Sequence, residues 1–134
     1  MNIDNLAPKF KNQYESMSEN SRNMLNKLID ECDMKSLKHT STDTPDYRFF
    51  VNVGKNSKSN YCLIKLKTRE DVIKVHLRTD GYRIIENENI EVYKLEKHNY
   101  NGKEWYEAIL ESEKQIEGLI DYIVQVRREH VKNL

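Results

Sequence analysis

The sequence predicts an α+β domain in which an antiparallel sheet of about five strands is covered on one face by N- and C-terminal helices. Three observations carry that prediction. Apolar residues recur at helical spacing near both ends of the chain, between Leu6 and Cys32 and again from Ile116 to Val126. From Tyr47 to Leu110 the period drops to two, with turn residues between the alternating runs. Helices at the ends with consecutive strands between them give a sheet with its helices on one side.

The first helical stretch opens at Pro8, which suits a first helical turn, and places Phe10, Tyr14 and Met17 on one stripe. A stronger stripe of Met24, Leu25, Leu28, Ile29 and Cys32 starts after Ser18 or Asn20, and the Ser/Asn-rich step between the two favours separate helices. The polar run from Lys38 to Asp46 has the composition of a loop. Tyr47–Val53 reads as the first strand and Gly54–Asn60 as a loop.

Tyr61–Lys67 and Val72–Arg78 then form a hairpin about Thr68-Arg69-Glu70-Asp71. Its register sets Cys62, Ile64 and Leu66 against Leu77, Val75 and Ile73 on one face. On the other face Tyr61 meets Arg78, Leu63 meets His76 and Lys65 meets Lys74. Like charges directly opposite are destabilising, so an anion or an acidic neighbour is expected there. Tyr82–Ile85 is a short strand or a connector. Ile90–Leu95 and Trp105–Leu110 alternate, with turn residues in His98–Gly102 between them. Ser112-x-x-Gln115 makes a capping box for a closing helix over 112–131, and basic residues near its end suit the helix dipole.

At 134 residues the chain is large enough for one domain with a substantial core. It divides into a helical part with its loop (1–46), the sheet (47–111) and the last helix (112–131). No apolar run is long enough to span a membrane, and the start lacks the pattern of a secretory signal. Cys32 and Cys62 fall on core-facing positions and are expected as reduced thiols, which makes a cytoplasmic location the default.

The formal net charge is zero, which argues against a bulk polycation, yet residues 46–84 carry +5 and residues 85–134 carry −4. Two arrangements follow. The basic middle faces an external anion, or it is matched internally by acidic residues such as Glu86, Glu88 and Glu91.

Catalytic and cofactor motifs are absent from the sequence. The four histidines, His39, His76, His98 and His130, are scattered, and there is no nucleophile elbow. No Cys or His spacing fits a metal site, and the four glycines form no phosphate loop, so no metal and no cofactor is expected. Asp71-x-x-Lys74 and Glu91-x-x-Lys94 are each one residue too long for the carboxylate–lysine element of a metal-dependent nuclease.

Aromatic-rich Tyr47-Arg-Phe-Phe-Val51, the Tyr61-Cys-Leu-Ile-Lys-Leu strand, the partner ending in Leu77-Arg78, the Trp105 strand and the Ser112 helix with its Ile116–Tyr122 stretch together resemble a small bacterial domain family labelled "predicted transport protein". The resemblance is one of pattern over about residues 47–126, and the Gly-rich segment before the last strand is reduced here to Asn101-Gly102. In that family the domain often follows restriction-nuclease-like parts, and no catalytic residues are established. The resemblance thus implies an accessory role in a bacterial, restriction-associated setting, not transport.

The binding face expected from the hairpin comprises Tyr61, Lys65, Lys67, Arg69, Lys74, His76 and Arg78. Basic residues with an aromatic on an open sheet suit a single nucleic-acid strand or an acidic protein. The same lysines would also serve a solvated sheet face that resists edge-to-edge pairing. Tyr14, Tyr47, Tyr93, Tyr122 and Trp105 are expected at the core, and Tyr61, Tyr82 and Tyr100 at the surface. The function expected is a non-catalytic binding module for an anionic macromolecule. Its alternatives are a protein-interaction or homodimerisation module and an enzyme whose site is assembled between the sheet and the 38–46 loop.

Overall fold

Ser18 accepts a hydrogen bond from the Ser21 N–H at 3.1 Å and caps a 16-residue helix, so the N-terminal stripe divides into two helices. The computed structural model describes residues 1–96 and 103–134. Its elements are α1 (Pro8–Ser16), α2 (Glu19–Met34), β1 (His39–Ser41), β2 (Tyr47–Val53), β3 (Ser57–Lys67), β4 (Val72–Arg78), β5 (Tyr93–Lys94), β6 (Trp105–Leu110) and α3 (Ile116–Lys132). A single six-stranded sheet runs β1-β2-β3-β4-β6-β5, and each neighbouring pair is antiparallel. The class is α+β, with six strands rather than five.

The β3–β4 hairpin has the register expected from its alternation, with Cys62 opposite Leu77 and Lys65 opposite Lys74. Asp71 closes the turn at φ +55, and its carboxylate accepts from the Ser18 N–H at 2.9 Å. That bond joins the hairpin to the start of α2 and holds the Asp71 carboxyl below its ordinary value.

Three expectations are corrected. The run from Lys38 contains β1, because three polar residues borrow their ladder from β2: His39 pairs with Phe49 and Ser41 with Tyr47. The stretch Gly54–Asn60 is largely strand. β3 begins at Ser57, and Gly54 at φ +67 makes the turn. The Ile90–Leu95 run reduces to the two-residue β5 at the sheet edge, which leaves Tyr93 exposed while Ile90 and Val92 are buried outside the ladder. Tyr82–Ile85 is connector, and the turn expected at His98–Gly102, with Tyr100, lies outside the described residues.

Alternate strand residues point to opposite faces, so the sheet has one helix-covered face and one open face. Tyr47, Phe49, Cys62, Ile64, Leu66, Ile73, Val75, Leu77, Ala108 and Leu110 join the buried stripes of all three helices in the main core. α3 starts after a short 3-10 turn, where the Gln115 Oε1 accepts from the backbone N–H groups of Ser112 and Glu111. No helix among the described residues is long and apolar enough to cross a membrane.

Both cysteines are free and buried, and burial pushes the Cys32 thiol up to about 12 and the Cys62 thiol well above its ordinary value. The nucleophile is the thiolate, so neither is reactive while folded. A thiol-specific dye at pH 8 should label no cysteine of the native chain within minutes and two after denaturation. Rapid native labelling would contradict the packing around α2 and β3.

Candidate functional site

The open face is laid out by the ladders. One row crosses the sheet as Arg48, Leu63, His76 and Glu107, from β2 through β3 and β4 to β6. The next rows carry Lys65, Lys74 and Ile109 on one side, and Arg78 beside Trp105 on the other. No residue of the helix-side core belongs to these rows. Phe50, Leu63 and Trp105 are nevertheless buried, and they lie outside the main core cluster, so the open face has its own apolar patch.

The two opposed lysines have carboxylate neighbours. Lys65 reaches Asp46 at 3.0 Å, and Lys74 lies 3.8 Å from Glu107. The sequence points to Glu86, Glu88 and Glu91 as the acidic residues that could match this charge. The partners are instead Asp46, at the entry to β2, and Glu107, on β6. Each is brought alongside by strand pairing across the sheet.

Glu107 also accepts from the His76 Nε2 at 2.9 Å. His76 is only 5% exposed, and burial lowers its pKa even though the Glu107 hydrogen bond pulls the other way. It is therefore neutral at pH 7 and donates its N–H.

The seven residues expected to form one cationic face separate into four groups. Lys65, Lys74 and His76 are the carboxylate-matched centre. Lys67 and Arg69 stand exposed at the hairpin tip, with Lys67 about 13 Å along the strand from Leu63. Arg78 lies at the opposite end, its Nε donating to both oxygens of Asp80 at 3.0 and 2.9 Å.

Tyr61 is not on this face. The β2–β3 ladder passes from Phe49–Cys62 to Phe50–Asn60, so Tyr61 is an extra, bulged residue. The bulge changes the parity of the strand and turns Tyr61 into the core, fully buried between Phe49 and His130.

Beside Arg78 the open face sinks into a cleft of about 470 Å³ between β2, β3 and β6. Leu63 and Trp105 give it apolar lining, Asn60 a side-chain amide, and Arg48, Lys58 and Lys103 positive charge, while Asp46 also lines it, its carboxylate engaged by Lys65. Among the described residues none of these three cations forms an ion pair, and residues 97–102 contain no carboxylate to supply one. Lys58 lies over the Phe50 ring at 4.7 Å, and Arg48 Nε is buried without a hydrogen-bond partner. Sequence reasoning missed Arg48, Lys58 and Lys103. The signal for Arg48 was present, since it alternates with Tyr47 and Phe49 in β2.

Two clusters have the composition of acid–base machinery. Asp33 contacts His39 Nε2 at 2.5 Å, and His39 Nδ1 meets the Tyr47 hydroxyl at 2.6 Å. Burial raises the Tyr47 pKa, which suppresses the phenolate, and the chain ties β1 and β2 to the end of α2. Ser59 Oγ lies 2.8 Å from His130 Nε2 on the helix side of the sheet. No carboxylate among the described residues hydrogen-bonds His130 to orient it, so the pair is not a triad. No group of metal-binding side chains is found among the described residues.

Burial lowers the pKa of both His76 and His130, with Arg78 adding to the effect at His130. The unfolded chain therefore binds more protons below pH 6.5, and stability is full above that pH and lost as pH falls. The urea midpoint should drop between pH 7 and 5.5. The double variant His76→Gln/His130→Gln should show a flatter profile; an unchanged slope would assign the pH dependence to other groups.

No protein-family model, curated protein or solved structure matches this chain.

Proposed function

We propose that this domain is a non-catalytic accessory module that binds an anionic macromolecule, nucleic acid in the first place, on the open face of its sheet. The observation that supports this reading is the cleft, where Arg48, Lys58 and Lys103 stand without carboxylate partners around Leu63 and Trp105. Asp46 also lines the cleft but is held by Lys65; Lys74 and Arg78 are matched by Glu107 and Asp80, and the exposed Lys67 and Arg69 lie at the hairpin tip, away from the cleft. Charge left unmatched at a concave, partly apolar position is what a phosphate-bearing ligand requires.

The mechanism is electrostatic uptake with counterion release. For single strands the logarithmic salt slope is about −0.7 per neutralised phosphate, so three cations give a slope of about −2. Fluorescence polarisation with labelled single- and double-stranded oligonucleotides tests the proposal. Binding at 50 mM salt should weaken roughly 15-fold by 200 mM. Absence of binding to either form at 50 mM salt would reject nucleic acid as the ligand. The restriction-associated setting implied by the sequence resemblance is compatible with such a module and belongs to the same proposal.

A further inference from the structure

We infer that the cleft seats one nucleotide of a single strand, with the phosphate held by Arg48 and Lys103 and the base lying against Leu63 and the edge of Trp105. This rests on the reading of the open face as anion-binding and narrows it to one unit of polymer and to one strandedness.

The lining divides by chemistry. Arg48, Lys58 and Lys103 supply charge, and Asp46 in the same lining is neutralised by Lys65 at 3.0 Å. Arg48 brings a planar guanidinium suited to phosphate, one of its terminal nitrogens donating to Thr44 Oγ1 at 3.5 Å. Leu63 and Trp105 supply apolar surface. Asn60 can donate and accept, as the edge of a base requires. A ligand using all three needs adjoining negative charge, a flat apolar ring and polar ring edges, and a nucleotide combines them. The volume of about 470 Å³ lies within the range of small-ligand sites, roughly 300–1,000 Å³. A duplex keeps its bases paired inside the stack and could offer this cleft only backbone, so the lining favours an unpaired base.

Trp105 is the single tryptophan of the chain, so its fluorescence reports the cleft. The full chain is titrated at 50 mM salt with thymidine monophosphate, thymidine, inorganic phosphate, a thymidine oligonucleotide and a duplex of equal length. Displacement of labelled oligonucleotide is followed in parallel, so that a silent tryptophan does not hide binding. The expected result is saturable binding of the monophosphate at least tenfold tighter than of thymidine or phosphate. The duplex should bind at least tenfold more weakly than the single strand. Arg48→Gln/Lys103→Gln should weaken the monophosphate at least tenfold with an unchanged melting temperature, and Lys114→Gln, outside the cleft, should not.

Phosphate binding as tightly as the monophosphate would overturn the base seat and leave an anion site. An oligonucleotide that binds while the monophosphate neither shifts Trp105 nor competes would overturn the seat but not the open-face reading. No binding by any probe would overturn both.

Discussion

Reversing two charges at the cleft, Arg48→Glu with Lys103→Glu, should weaken single-stranded oligonucleotide binding by about 100-fold or more. Each lost charge-assisted hydrogen bond removes roughly 1.5–3 kcal/mol, and the new carboxylates repel phosphate in addition. Both side chains lie at the cleft without ion-pair partners among the described residues, so no carboxylate is left unmatched by the change. Arg48 is half-buried and shares the cleft with Asp46, so circular dichroism and melting temperature are read alongside. Arg48→Gln/Lys103→Gln, which adds no carboxylate beside Asp46, carries the test if the reversal costs stability. Binding within threefold of the wild type would exclude the cleft as the site.

The contrasting pair is Lys65→Glu with Lys74→Glu, at the centre of the face that the sequence alone nominates. There the charges are already met by Asp46 and Glu107, each mostly buried. Reversal would place carboxylate beside carboxylate in a half-buried setting and act first on stability. Because Asp46 also lines the cleft, the single change Lys74→Glu, which leaves the Lys65–Asp46 pair in place, is the variant that separates a ligand site from an internal charge match.

The hairpin was legible because both its strands alternate strictly and its turn has four residues, which together fix the register from Cys62 to Leu77. One residue beyond that register the same logic fails at Tyr61, because the bulge opposite Phe49 and Phe50 inserts a step that no local pattern marks. β1 and the start of β3 were hidden for a related reason. Their residues are polar and turn-like, and their extended form comes from the partner strand rather than from their own propensity. The expectation that Trp105 is buried agrees with the structure, but its burial is on the open face rather than in the main core. The cleft was least legible. Arg48, Lys58, Arg78 and Lys103 come from separate segments and meet only through the order of strands in the sheet.

Gly118→Ala should destabilise the domain by about 2 kcal/mol, against the sign that helix propensity gives. In an ordinary helical position this change is favourable by roughly 0.5–1 kcal/mol. At position 118 the added methyl would lie 2.7 Å from Asn87 Oδ1, 2.8 Å from Asn89 Cβ and 3.2 Å from Ile90 Cγ2. The connector between β4 and β5 packs directly on the helix here. Asn87 Nδ2 donates to the Gly118 carbonyl at 2.9 Å, while the Tyr122 hydroxyl accepts from the Asn87 N–H at 3.0 Å and donates to the Ile90 carbonyl at 2.6 Å. Moving the connector outward breaks these bonds together, and each contributes roughly 0.5–1.5 kcal/mol. Tyr122→Phe removes the hydroxyl alone and leaves two backbone groups unpaired, at a cost of about 1–3 kcal/mol. Both changes release the same connector, so the double variant should lose less than the sum of the singles. Chemical denaturation of the three variants measures this, and a Gly118→Ala protein more stable than the wild type would refute the close approach. The connector packs on α3, across the sheet from the cleft, so oligonucleotide affinity measured well below the melting temperature should be the same in all three.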